Sequence, residues 1–283
     1  MRIVVTGGRG MLARTLLRTL GIRHEVVPVD VQEADITDAA GVNELFARLR
    51  PETVIHCAAM TQVDDCEAKR DLAFRVNAEG AGNVAAACER QQARLISIST
   101  DYVFSGKLDR PYRESDPAEG AQTVYGQSKR AGELQVLANC PGALICRISW
   151  LYGPGGPSFV HTMLRLADGS RPLLKVVNDQ HGNPTSTLAV AGHLALLLER
   201  PEIDGILHLT CEGDATWYEF AQEIFRLKGI SQAVVPCATA EFPRPAPRPP
   251  NSRLEKARLR ELGLPPMPDW HAALKQFLAL SSS

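Results

Sequence analysis

Tyr125 and Lys129 stand four residues apart in Thr123-Val124-Tyr125-Gly126-Gln127-Ser128-Lys129, and they carry the chemistry this chain can do. On a helix, positions i and i+4 share one face, so a phenol and an ammonium converge on one small volume. Positive charge nearby favours phenolate, and the spacing therefore predicts a tyrosine acidic enough to protonate a carbonyl oxygen near neutral pH. Upstream, Ser97-Ile98-Ser99-Thr100-Asp101-Tyr102 reads as a strand end that supplies a hydroxyl to the same place.

A second group of residues needs a nucleotide. Arg2-Ile3-Val4-Val5 is a short apolar run suited to a buried parallel strand. Thr6-Gly7-Gly8-Arg9-Gly10-Met11-Leu12-Ala13 follows at once and leads into a helical stretch. Gly7 and Gly10 let the backbone turn tightly and approach a pyrophosphate resting on the helix N-terminus, while Ala13 is small enough for helix–strand packing. The next strand, Glu25-Val26-Val27-Pro28-Val29-Asp30, ends in a carboxylate placed about 20 residues on, where a ribose-binding acid belongs. Strand, glycines, helix, strand and acid in this order predict a dinucleotide site.

These groups are positioned by an alternating pattern of strands and helices. Strands are predicted near 2–5, 25–29, 53–57, 94–99, 143–148 and 206–209, and helices near 11–20, 39–49, 67–91, 124–138, 187–199 and 216–228. The expected fold class is α/β, a Rossmann-type doubly wound parallel sheet with a smaller, discontinuous C-terminal substrate-binding lobe. Residues 1–150 are read as the dinucleotide-binding domain, with returning segments at about 184–210, and 151–283 as the smaller lobe. Ligands of such a sheet bind beyond the carboxyl ends of its strands, and Gly7, Asp30, Cys57-Ala58-Ala59, Ser99-Thr100 and Arg147-Ile148-Ser149-Trp150 all fall there. Beyond these, Tyr152 to Pro157 and Asn178 to Thr185 read as loops, and the proline-rich run from Phe242 to Pro250 as an ordered loop.

Composition narrows the function classes. With 283 residues, 45% apolar and 22% charged, the chain can bury a substantial core, and its net charge of −1 favours neither nucleic acid nor an anionic membrane. No apolar run reaches the length of a membrane span, and the chain begins directly in a strand, so no signal peptide is expected. Seven cysteines without a Cys-x-x-Cys pair argue against a disulfide framework or structural zinc and place the chain in a reducing, cytoplasmic setting. Cys57, Cys88 and Cys146 are read as core thiols, and His56, His161 and His181 as structural or exposed rather than as metal ligands.

The full set of motifs resembles the dTDP-4-dehydrorhamnose reductases, a family of the extended short-chain dehydrogenase/reductases. Gly7-x-x-Gly10, Ala58-Ala59-x-Thr61-x-Val63-Asp64, Ser99-Thr100-Asp101-Tyr102-Val103-Phe104-x-Gly106 and Tyr125-x-x-x-Lys129 carry the resemblance in the first half. Arg147-x-Ser149-Trp150-x-Tyr152-Gly153, Asp179-Gln180-x-Gly182-x-Pro184-Thr185 and Arg248-Pro249-x-Asn251-Ser252-x-Leu254 carry it in the second. The resemblance implies reduction of the C4 keto group of a dTDP-linked 6-deoxy-hexulose to dTDP-L-rhamnose, with NADPH or NADH as cofactor. It implies that Tyr125 gives the proton, Thr100 orients the reacting oxygen, and Lys129 holds the nicotinamide ribose and depresses the Tyr125 pKa. Gly7, Gly10 and Met11 would line the pyrophosphate, Asp30 the adenine ribose, Asp35 and Ile36 the adenine, and Ala58, Ala59 and Thr61 the cofactor and sugar. Trp150 would border the sugar, with Gln180, Arg248 and Asn251 at the nucleotide-diphosphate end, where Arg248 is suited to a bidentate phosphate contact.

Sugar-nucleotide 4,6-dehydratases of the same superfamily place Asp-Glu after the active-site threonine; here Asp101 is followed by Tyr102, which favours reduction over elimination. Some reductases hold magnesium at a dimer contact through an acidic residue of the first helix. Arg14-Thr15 stand in that neighbourhood here, so no such metal is expected, and a homodimer remains compatible. Arg147 reads as readily as a structural ion-pair partner and is left out of the catalytic set. Asp30 favours NADH by repelling a 2′-phosphate, which Arg9 partly offsets, so both cofactors are expected to work. Two other readings stay open: a reductase or epimerase of another nucleotide sugar, and a non-catalytic dinucleotide-binding regulatory subunit.

Overall fold

The computed structural model describes residues 1–280; Ser281-Ser282-Ser283, read from the sequence as a low-complexity tail, lies outside them. The first half runs β1 (Arg2–Thr6), α1 (Met11–Leu20), β2 (Glu25–Val29), α2 (Ala39–Leu49), β3 (Thr53–His56), α3 (Val63–Ala68), α4 (Arg70–Phe74), α5 (Ala81–Gln91), β4 (Arg94–Thr100) and α6 (Val124–Asn139). It continues with β5 (Leu144–Ile148), β6 (Leu151–Tyr152), α7 (Phe159–Leu166), β7 (Leu174–Val177), β8 (His181–Gly182), β9 (Thr185–Ser186), α8 (Thr187–Leu198) and β10 (Gly205–His208). The chain closes with β11 (Ala215–Thr216), α9 (Trp217–Lys228), β12 (Val234–Cys237), α10 (Ala257–Glu261) and α11 (Trp270–Leu280). No described helix is long and apolar enough to cross a membrane.

Six strands pair in parallel in the order β2-β1-β3-β4-β5-β10, the doubly wound α/β fold that the sequence pattern predicts. The strands are short apolar runs because both faces are covered by helices. Val4, Val54, Leu95 and Ile145 belong to one core cluster with α2 and α5, whereas Ile3, Ile55, Ile96 and Leu144 belong to the other with α1 and α8. Strand order reverses between β1 and β3, which opens a crevice beyond their carboxyl ends. Short pairs outside this sheet (β7 with β12, β8 with β11, β6 with β9) build the region beyond β5. That region shares the larger core cluster, through Phe220, Trp270 and Phe277.

One element differs from the sequence reading. The single helix expected near 67–91 is interrupted at Lys69 (φ −127, ψ 51) and widens into a π-helical turn over Arg75–Gly80 before α5. The buried Asn77 sits in that turn and explains it. Its side chain accepts from Met60 N at 2.8 Å and donates to the Met60 carbonyl at 3.1 Å and to Ser128 Oγ at 3.0 Å. The extra residue in the turn aims the amide inward, as π-bulges often do at functional sites. The proline-rich run is tied down as well, Ala246 being fully buried and donating its N–H to Asp64 at 3.2 Å.

Candidate active site

A cleft of about 1010 Å³ opens at the carboxyl edge of the sheet. Its walls come from the β1–α1 turn, the ends of β2, β3 and β4, the face of α6, and the segment after β5. Gly7, Gly10, Met11, Asp30, Asp35, Ile36, Ala58, Ala59, Thr61, Thr100, Tyr125, Lys129 and Trp150 all border this one space. Gln180, Arg248 and Asn251 do not.

The end near β1 fits a dinucleotide. Gly7 adopts φ +66, and a Cβ there would lie 2.8 Å from the Ala58 backbone, so only glycine brings the two strand ends this close. Helix α1 starts at Met11, with Gly10 as an N-cap that offers no side chain, and has no acidic residue in its first turn. Its leading N–H groups and positive dipole end therefore face the cleft uncompensated, which suits a pyrophosphate. Asp30 closes the end of β2 by accepting from Arg9 N and Val31 N, both at 2.9 Å, and lies half-buried on the cleft wall. Asp35 turns back onto Thr37 N and Oγ1 at 2.9 Å, and Ile36 packs under Gly80.

The opposite wall holds the chemistry. Thr123 caps α6 by accepting from Gly126 N at 2.9 Å, which fixes the first turn carrying Tyr125. A Cβ on Gly126 would strike the Tyr102 carbonyl at 2.1 Å, so glycine lets α6 press against the end of β4. Tyr125 stands beside Thr100, and its ring meets Tyr102 edge-on at 5.7 Å. Lys129, almost wholly buried, donates to the Ile98 carbonyl at 2.8 Å.

The electrostatics correct one expectation. Burial pushes the Tyr125 phenol well above its ordinary range; Thr100 opposes this, and the Asp101 charge adds to it. Lys129 does not depress it, because its ammonium is turned to Ile98 and is itself pushed down to about 8 by burial, against the pull of Glu133. The phenol therefore stays protonated across the neutral range and is a proton donor rather than a base. Cys57, expected in the core, lies half-buried on the cleft floor, and burial pushes its thiol up to about 12, leaving it unreactive. Cys88 and Cys146 are fully buried.

Behind this wall lies a buried polar network that sequence reading only half found. Glu133, one turn beyond Lys129 on the same helix face, accepts from Arg147 at 2.7 and 2.8 Å, Ser99 at 2.7 Å and Arg130 at 3.0 Å. Burial alone would push this carboxyl up, but the Arg147, Ser99 and Arg130 donors hold it below the usual carboxylate range. Arg147 is thus an ion-pair partner locking α6 to β5. The Tyr125, Lys129, Glu133 spacing was the signal that would have found it.

At the far end, Trp150 takes a left-handed φ of 45 just after β5. Such strain costs about 1–3 kcal/mol in a non-glycine residue and persists where the surroundings hold it. Here its ring stacks on Trp217, centroids 3.5 Å apart and planes 4° from parallel, and covers Gly182, where a Cβ would sit 2.3 Å from the indole. Trp217 also lines the cleft and was missed by sequence reading, since nothing local links it to Trp150. Gln180 serves this stack from behind, accepting from Trp217 Nε1 at 3.0 Å and donating to Thr239 at 2.8 Å. Asn251 spends its amide on the Leu108 and Arg110 carbonyls at 2.6 and 2.8 Å and on Arg253. Arg248 pairs with Asp64 at 3.0 Å beside Tyr102.

Comparison with known proteins points the same way. A family model described as RmlD substrate binding domain matches residues 1–282. The chain is 44% identical over 282 residues to a dTDP-4-dehydrorhamnose reductase of Streptomyces griseus, covering 97% of this chain and 92% of that protein. It is 41% identical over 280 residues to a probable dTDP-4,6-dihydroxy-2-methyloxan-3-one 4-ketoreductase of Streptomyces antibioticus, covering 98% and 94%. A solved dTDP-4-dehydrorhamnose reductase from Bacillus anthracis, in complex with NADP, superposes with a TM-score of 0.95 at 38% identity, with 98% of each chain covered.

Proposed function

The chain belongs to the RmlD substrate binding domain family, and from that premise we propose that it reduces the C4 keto group of dTDP-4-dehydro-6-deoxy-L-mannose, giving dTDP-L-rhamnose. It is an oxidoreductase that takes NADPH or NADH. The observation that carries the reading is the convergence of Tyr125, Thr100 and Lys129 on one wall of a cleft whose other end is the Gly7–Gly10 turn.

Gly7, Gly10, Met11 and Asp30 hold the dinucleotide, with Asp35, Ile36, Ala58 and Ala59 beside it. The bound nicotinamide supplies the hydride. Tyr125 gives its phenolic proton to the C4 oxygen, a role suited to a phenol kept protonated by burial. Thr100 orients that oxygen, and Lys129, held at the end of β4 by Ile98, contributes positive charge to the same corner. Thr61, Trp150 and Trp217 enclose the sugar. Gln180 and Asn251 act through the elements they brace, and Arg248 reaches a diphosphate by leaving or sharing Asp64.

The test is oxidation of NADPH and NADH by purified protein, with the dTDP-4-keto-6-deoxy sugar and its 3,5-epimerase supplied together. Removal of the acid in Tyr125→Phe is expected to lower kcat by roughly 10²–10⁴-fold while dinucleotide affinity stays near wild type. The likeness to the Streptomyces antibioticus ketoreductase favours a second reading, reduction of another dTDP-linked keto sugar. Turnover of that sugar class without turnover of the rhamnose precursor would select it. Cofactor binding without turnover of any keto sugar would select the regulatory reading.

A further inference from the structure

Three cations border the cleft: Arg9, Arg75 and Lys129. Lys129 is buried and turned to the Ile98 carbonyl. Arg9 and Arg75 are exposed, and neither guanidinium makes a hydrogen bond or ion pair among the described residues. Arg70, earlier in the same segment as Arg75, is spent on the Phe74 ring and Gln127. Arg75 has no part in the scheme above.

The fold places Arg75 at the adenosine end. It opens the π-helical turn that Asn77 clamps to Met60 and Ser128. Gly80 closes that turn, and a Cβ there would lie 2.8 Å from the Ile36 side chain and 3.5 Å from the Arg75 carbonyl. The turn therefore rests directly on the segment that follows β2. That segment is compact, because the Asp30 carbonyl accepts from Glu33 N at 3.0 Å and from Ala34 N at 3.1 Å. Ala34, Ile36 and Val76 share one core cluster, so the two segments form a single wall unit. Val31, next to Asp30, and Leu72, one turn before Arg75, are exposed apolar side chains that border the cleft. An adenine seated between the segments covers both, with Asp30 on one side of its ribose and Arg75 on the other.

We infer that Arg75 is a specificity-determining residue for the dinucleotide, its guanidinium pairing with the 2′-phosphate of NADPH. This deepens the dinucleotide reading of the cleft and rests on it. Asp30 suits a ribose hydroxyl and repels a phosphate in its place. A free guanidinium offsets that repulsion and offers a planar fork of donors to the phosphate oxygens. Arg9 shares its turn with Gly7 and Gly10, where the pyrophosphate competes for it. Arg75 stands on the other segment, with no acidic partner among the described residues to give up first.

Titration calorimetry of the full chain tests this without turnover. The probes are NADPH, NADH and a fragment pair that differs only in the 2′-phosphate, adenosine 2′,5′-bisphosphate and 5′-AMP. Arg75→Ala should weaken NADPH and the bisphosphate by roughly 10- to 100-fold and leave NADH and 5′-AMP near wild type. Arg75→Lys should recover part of the loss, since it keeps the charge without the fork. Added salt should weaken NADPH binding more steeply in the wild type than in Arg75→Ala. Each ratio is taken within one variant, so it reads selectivity even where stability changes. Equal losses for phosphorylated and unphosphorylated ligands would put Arg75 on the adenine or pyrophosphate and overturn the inference. A selective loss found in Arg9→Ala but absent in Arg75→Ala also overturns it. Binding of none of the four probes would overturn it together with the dinucleotide reading. Arg75-dependent selectivity with no turnover of any keto sugar would uphold it and sink the reductase reading instead.

Discussion

Replacing Arg147 by methionine tests the network that fixes the catalytic helix. The Arg147 and Glu133 side chains are 1% and 2% exposed, and the guanidinium also lies 4.8 Å from the Phe104 ring centre. Methionine fills much of the volume but leaves Glu133 with Ser99 and Arg130 alone. Orphaning one member of a buried pair costs about 3–5 kcal/mol, whereas an exposed pair is worth about 0–1 kcal/mol. The expected loss in urea unfolding at pH 8 is therefore about 3–5 kcal/mol, or roughly 6–20 °C in Tm for a domain of this size. The pH dependence gives a second check. In the wild type the Glu133 pKa is depressed, so its contribution is present above the unfolded carboxylate pKa and lost as pH falls through the folded value. In Arg147→Met, burial without its main partner raises that pKa, so the deficit should shrink from pH 8 to pH 5 as Glu133 protonates. Adding Glu133→Leu removes the stranded charge and should recover most of the loss. A loss below about 1 kcal/mol, a deficit equal at both pH values, or a double variant as weak as the single one would refute this account of the pair.

Three further outcomes follow from the cleft. Gly7→Ala forces a Cβ to 2.8 Å from the Ala58 backbone at φ +66, and should weaken dinucleotide binding by about 5- to 150-fold for 1–3 kcal/mol of strain; fluorescence titration giving wild-type affinity would count against the proposed turn. Asp30→Ser removes the carboxylate facing the ribose, and the ratio of kcat/KM for NADPH over NADH should rise by about tenfold or more; an unchanged ratio would assign discrimination elsewhere. Burial lowers the Lys129 pKa to about 8, so its charge is present below that pH and lost as pH rises through it; NADPH affinity should weaken from pH 7 to 9 in the wild type, and a Lys129→Met protein that still shows this fall would exclude the ammonium as its source.

The local features were legible because each is decided over a few residues. Gly7 and Gly10 between two apolar runs, Asp30 at the end of the second, and the Tyr125–Lys129 spacing need only backbone geometry, and they lie at the edge where alternating strands and helices put them. The interrupted segment at 69–80 was not legible, since helix periodicity carries no sign of the clamp that Asn77 makes to Met60 and Ser128.

What the sequence by itself determined is the order of strands and helices, and with it the edge on which the glycine turn, the acid and the Tyr–Lys pair must gather. Hydrophobic periodicity and strand direction leave few alternatives. Tertiary structure alone decided the charge states and the partners. Tyr125 is held protonated by burial rather than acidified by Lys129, and Trp150 finds Trp217 from a helix distant in sequence. Gln180 and Asn251 give their amides to the scaffold, while Asp101 has one carboxylate oxygen with no hydrogen-bond partner among the described residues. Desolvation and contact depend on what surrounds a group from every side, and that environment exists only once distant segments have packed.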